Sequence, residues 1–141
     1  MWEGMFNRWL NGSIYADLGF FCTLNKDYTL AYEYFQKSRQ IHPLLIAKYL
    51  PAYLQVIQAT QPSLLRVRHY LNELASFKEL DLHITFFTLW INYLEHPSKQ
   101  QHNKIKTFMK QHVVSRLELD KYDPYHYYNH LFLYTIEKQK P

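Results

Sequence analysis

The stretch Tyr15-Ala16-Asp17-Leu18-Gly19-Phe20-Phe21-Cys22, running into Asn25-Lys26-Asp27-Tyr28 and on through Ala31, Phe35 and Ser38 to Pro43, decides the fold. Its apolar residues do not alternate as they do along a half-buried strand. After Asp27 they recur at Ala31, Phe35, Ser38 and Ile41, the three- and four-residue steps that line one face of a helix. Asn25-Lys26-Asp27 interrupts the pattern, and Asp27 can cap the next segment because its carboxylate accepts from the free N–H groups of a first turn. His42-Pro43 ends that segment, since the residue before proline avoids helical angles. Two helices joined by a tight turn are implied by these letters.

Similar punctuation recurs outward. Asn11-Gly12-Ser13 predicts a stop, with Gly12 in the left-handed position and Ser13 capping a second helix. Gln61-Pro62-Ser63 and His96-Pro97-Ser98 predict sharp breaks, Phe77–Asp81 a softer one, and Asp123-Pro124 a cap with proline at the first helical position. Between them the spacing stays helical: Leu64, Val67, Leu71, Leu74 and Ala75 in 63–77, then Ile105, Phe108, Met109, His112, Val113 and Leu117 in 98–118. Tyr128, Leu131, Phe132, Thr135 and Ile136 repeat the pattern in the tail. Pro51 is expected to kink or shorten its helix. About eight helices and no strand are predicted, an all-α chain.

Breaks near residues 26, 62 and 97 recur about every 36 residues, a period at which helical hairpins stack so that each covers its neighbour's apolar face. The first hairpin resembles the tetratricopeptide repeat in its aromatic Tyr15, its Leu18-Gly19 pair, and the subsequent Ala31, Phe35, Ser38 and Pro43. The match spans 13–43. It implies that Gly19 lets the two helices approach closely, Ala31 fills their crossing, Phe35 plugs the space between hairpins and Pro43 starts the next unit. The second hairpin has Leu54-Gln55 where the first has Leu18-Gly19, and Val67, Leu71 and Leu74 in place of Ala31, Phe35 and Ser38. The third keeps only length and amphipathicity. The expected architecture is one tetratricopeptide-like domain over 1–141, a right-handed stack of antiparallel helical hairpins at about 13–42, 45–77 and 80–118 with a capping helix at about 124–138.

Composition fits this. The 141 residues are 48% hydrophobic and 18% aromatic, enough to fill a core and too apolar for a disordered chain. The net charge of +4 comes from scattered Lys and Arg, apart from small clusters at Arg66/Arg68, Lys104/Lys106/Lys110 and Lys138/Lys140. Nucleic acid recruits a denser basic stripe, so no direct nucleic-acid contact is expected. A single cysteine, Cys22, rules out an internal disulfide and gives no sign of an oxidising compartment. The most apolar window, Leu82–Leu94, falls short of the roughly 20 residues a membrane-spanning helix needs. Met1–Leu10 carries Glu3, Asn7 and Arg8 and does not read as a secretory signal. A cytoplasmic location without a membrane span is expected.

Candidate chemistry is sparse. His126 and His130, four apart with Asp123 nearby, have the spacing of a metal pair, but lack the third and fourth ligands a zinc site converges. His112 lies on an apolar stripe and reads as a semi-buried hydrogen-bonding residue, while His42-Pro43 and His96-Pro97 read as turn chemistry. Cys22 reads as packing, since a reactive thiolate needs a cationic, partly open setting. Asp17, Glu33, Glu73, Asp81 and Asp120 lack any surrounding catalytic motif, and Gly4, Gly12 and Gly19 cannot build a phosphate cradle. No catalytic residue, metal or cofactor is expected, and the chain is not read as an enzyme.

Thirteen tyrosines exceed what one core needs, and Tyr suits binding surfaces because it offers area and a hydroxyl at low entropic cost. In a tetratricopeptide stack the first helix of each hairpin lines the concave groove. The resemblance therefore implies exposed partner-binding positions at Ala16, Phe20 and Thr23, then Tyr49, Ala52, Tyr53 and Val56, with His83, Phe87 and Asn92 in the third hairpin. Lys48 is the only basic residue near them, so an apolar or extended peptide fits better than an acidic one. The alternative is a groove filled by the chain's own tail helix. Trp2, Met5, Phe6, Trp9 and Leu10 form a separate apolar stripe, which either caps the stack or packs on another domain or a second copy, making a homodimer possible. The expected function is a non-catalytic protein- or peptide-binding module acting through the concave face. The alternative is the sensor or dimerisation region of a transcription regulator whose DNA-binding part lies outside this chain.

Overall fold

The computed structural model describes residues 2–111, and the fold there is all-α, with no strand among the described residues. The helices are α1 (Trp2–Leu24), α2 (Tyr28–Ile41), α3 (Leu50–Thr60), α4 (Leu65–Leu74), α5 (Asp81–Glu95) and α6 (Lys99–Gln111). Short 3-10 segments occupy Pro43–Tyr49 and Lys78–Leu80. The chain divides inside α4 into two compact units, Met1–Tyr70 and Leu71–Pro141. The predicted helix at 124–138, the tail stripe, His112 and the His126/His130/Asp123 group lie outside the described residues.

In the first unit α1 and α2 run antiparallel, with Gly19 opposite Phe35 and Gly12 opposite Ser38 and Ile41. A Cβ at Gly19 would lie 2.7 Å from two atoms of the Phe35 ring, so the glycine is what lets that ring lie against α1. Ala31, Phe35 and Ser38 are fully buried, as the spacing of α2 predicts. The turn closes as expected. The Asp27 N–H donates to the Cys22 carbonyl at 2.9 Å and the Lys26 N–H to the Thr23 carbonyl at 3.0 Å, the paired bonds of a Schellman motif. Its left-handed position is held by Lys26 at φ 62°. The Asp27 carboxylate then accepts from the Leu30 N–H at 3.4 Å.

One boundary differs from the sequence expectation. α1 runs straight through Asn11-Gly12-Ser13, so Gly12 does not end a helix and Ser13 does not start one. Gly12 is instead a point of close approach: an added Cβ would collide with the Leu45 side chain and lie 3.1 Å from Ile41, and the Gly12 carbonyl accepts from the Ser38 hydroxyl at 2.7 Å. Packing needed a missing side chain there, and the helix absorbs the cost of about 1 kcal/mol that a mid-helix glycine carries.

After α2 the His42 ring accepts from the Leu44 N–H at 3.1 Å and opens the 3-10 segment with Pro43 in its first turn. Pro51 shortens its helix rather than kinking it, because α3 begins at Leu50 and the proline falls where no backbone donor is needed. Leu64, just before α4, and Val67 and Tyr70 on the part of α4 belonging to this unit are buried.

In the second unit Leu71 and Leu74 are buried, while Ala75 is exposed. The softer boundary appears as the 3-10 segment before α5, and the apolar window becomes α5 itself, burying Phe86, Phe87, Trp90 and Ile91. Ser98 accepts from the Gln101 N–H at 3.1 Å and caps α6, whose Ile105 and Phe108 are buried; the Phe108 ring lies 6.1 Å from that of Phe86.

Candidate interaction surface

The seven expected groove positions come together, but inside the first unit. Ala16, Phe20, Thr23, Tyr49, Ala52, Tyr53 and Val56 are each at most 5% exposed. The reason is aromatic packing within the unit. The Phe20 and Tyr49 rings stack at 4.7 Å, and Phe35 meets Tyr53 edge-on at 5.9 Å. Tyr53 in turn meets Tyr70 edge-on at 5.5 Å. The Thr23 hydroxyl turns back onto its own helix and donates to the Gly19 carbonyl at 2.8 Å. In the other unit His83 and Phe87 are likewise buried, with their rings 5.1 Å apart, and Asn92 is half-buried.

Five tyrosine hydroxyls fasten this cluster and its edges. Tyr49 donates to Asp17 at 2.5 Å, and Lys48 stands 3.7 Å from the same carboxylate. Tyr70 donates to the Pro43 carbonyl at 2.5 Å. Arg39 donates to Tyr53 at 3.1 Å, Gln55 to Tyr28 at 3.1 Å and Arg66 to Tyr32 at 2.6 Å. The Arg39 guanidinium also lies 5.2 Å over the Tyr70 ring. Burial pushes the Tyr53 phenol above the ordinary tyrosine range, against the opposing pull of the Arg39 charge. Tyrosine therefore serves the interior and its edges here, where the aromatic count had suggested a binding face.

Among the described residues, which do not include Asp120, the titratable candidates do not assemble. Asp17 is engaged by Tyr49 and Lys48, while Glu33 and Asp81 are exposed on different helices. Among the described residues no three of His, Cys, Asp and Glu gather in a way that could hold a metal ion. Cys22 is half-buried, and desolvation, with a smaller push from the nearby Asp27 carboxylate, raises its thiol pKa, which favours the unreactive protonated form. No helix of the described residues is long and apolar enough to cross a membrane.

What the structure does present is the outer face of α1. Gly12, Ala16, Gly19, Phe20 and Thr23 bury one face of the helix. At 100° per residue Leu10, Ile14, Leu18, Phe21 and Leu24 fall on the opposite side, and all are exposed. Phe6 extends the apolar surface toward the N-terminus, while Met5 and Trp9, also exposed, fall on the side of Gly12 and Ala16, Trp9 leaning on His42 with ring centres 5.1 Å apart. Exposure over Phe6, Leu10, Ile14, Leu18, Phe21 and Leu24 runs from 37% at Leu18 to 59% at Phe6. At about 200 Å² per large apolar residue the outer six amount to roughly 600 Å², at the top of the 300–600 Å² of the largest patch on a typical monomer. Sequence reasoning found only the N-terminal part of this surface; the continuing steps at 10, 14, 18, 21 and 24 were its available signal.

In comparison with known proteins, the chain matches no family model, no curated sequence and no solved structure.

Proposed function

We propose that this chain is a non-catalytic interaction module that docks a protein or peptide partner on the outer face of α1. The observation that carries the reading is the apolar surface of roughly 600 Å² along one face of a 23-residue helix. The tetratricopeptide-like reading belongs with it: one hairpin over 13–43, with Phe35 seated on Gly19, within a stack whose later hairpins keep the apolar pattern alone. Binding at Phe20, Tyr49 and Tyr53 would require that aromatic cluster to open, so the reading moves the partner from the concave face to the outer one. The fitting partner is an amphipathic helix with apolar anchors at three- and four-residue steps.

The test is a selection of helical peptides from a display library against the full chain, immobilised at low density so that copies do not meet. Wild type is expected to enrich peptides with that apolar spacing, and the exposed-site double variant Leu10→Glu/Leu18→Glu to lose them while keeping its circular dichroism spectrum. Enrichment that is absent, or indifferent to the double variant, overturns the reading.

A further inference from the structure

We infer that the natural occupant of the α1 outer face is a second copy of this chain, paired antiparallel about Ile14; the inference rests on the docking reading above. Area is the first argument. Roughly 600 Å² from each of two copies makes an interface of about 1,200 Å², the lower bound of the range for specific, stable interfaces.

Self-complementarity is the second. A two-fold interface requires that residue i meet j while j meets i. Counted from Ile14, the exposed apolar positions fall at Leu10 and Leu18 four residues to either side. Phe6 and Phe21 come next, eight residues before and seven after. An antiparallel pair therefore sets Ile14 on Ile14, Leu10 on Leu18 and Phe6 beside Phe21, in both directions at once. A parallel pair would lay each residue on its own copy.

The helix dipole is the third. Arg8 falls on a side of α1 away from Ile14, and Asp17 is already engaged by Tyr49 and Lys48, so neither side chain sets the direction of pairing. Antiparallel pairing opposes the two helix dipoles, whereas parallel pairing aligns them.

Sedimentation of the full chain between about 1 and about 100 µM is expected to show a monomer–dimer equilibrium. Ile14→Glu should weaken it at least about 30-fold, the effect of a central hot-spot residue. A crosslinking arm keeps the geometry testable if that variant folds poorly. On a Cys22→Ser background, Ile14→Cys should form an inter-chain disulfide under mild oxidation. Leu10→Cys alone should not, because its two copies would lie about 12 Å apart along the axis, beyond disulfide reach. Leu10→Cys mixed with Leu18→Cys should crosslink to each other. The inference is overturned by a monomer at the top of the range, by a dimer indifferent to Ile14→Glu whose Ile14→Cys form does not crosslink, or by Leu10→Cys closing with itself. A monomer whose outer face still selects helical peptides retains the docking reading and discards the second copy. A monomer that selects none discards both.

Discussion

Replacing Gly19 with alanine separates two opposed effects. In an exposed helix interior the change stabilises by about 1 kcal/mol, because alanine loses less backbone freedom on folding. At Gly19 the new Cβ would sit 2.7 Å from the Cδ1 and Cε1 atoms of Phe35 and 3.0 Å from its Cγ. That ring is fully buried, with Tyr53 edge-on at 5.9 Å and Tyr49 tilted against it at 6.4 Å, so it cannot swing aside without moving both. Overpacking of this kind costs about 1–3 kcal/mol. The net expectation runs from no gain to a loss of about 2 kcal/mol. Gly4 supplies the control: nothing lies within 4 Å of a Cβ there, so Gly4→Ala should keep the favourable term alone. Urea unfolding of both variants, monitored by far-UV circular dichroism, gives the steric penalty as their difference. Adding Phe35→Leu should shrink that difference, since a smaller side chain accepts the extra methyl. If Gly19→Ala proves as stable as Gly4→Ala, or the difference survives Phe35→Leu, the close approach of α1 to Phe35 is refuted.

Three further outcomes concern the same unit. Phe35→Ala should lose about 3–5 kcal/mol in urea unfolding, the cost of emptying a fully buried aromatic site. Lys26→Gly should gain about 1 kcal/mol, because Lys26 occupies the left-handed position of the α1–α2 turn at φ 62° where glycine carries no Cβ penalty. The raised Tyr53 pKa means that the unfolded chain gives up this proton first as pH rises through about 10, so its stabilising contribution is present below that pH and fades above it. Tyr53→Phe should flatten the alkaline fall in stability, while costing about 1 kcal/mol at neutral pH through the lost Arg39 hydrogen bond.

The all-helical class, the capped turn at Asp27, the break at His96-Pro97-Ser98 and the buried face of α2 were legible because each depends on residues near one another in sequence. Gly19 was read, through the tetratricopeptide resemblance, as a point of close helix approach, but the ring that lies against it, Phe35, was assigned to the space between hairpins. Gly12 was misread because a glycine beside Asn and Ser has the local signature of a stop, while its use depends on Leu45 and Ile41 from distant segments. That misreading cut α1 in two and hid half of the outer stripe. The groove positions were read as open because the repeat analogy assigns them a face. Yet Ala16, Phe20 and Thr23 come after Gly12 at four-, four- and three-residue steps, which is the spacing of the side that α1 buries.

The five phenol contacts also bear on how the first unit can move. They bridge residues from 14 to 34 positions apart in sequence, and each has a direction as well as a length. A switch in which one helix ratchets past another by a full turn, about 5.4 Å, would break several of these tethers together. Sliding is thus a poor route for transmitting a signal through this half of the molecule, and changes at its edges are left to hinge bending or to whole-body displacement.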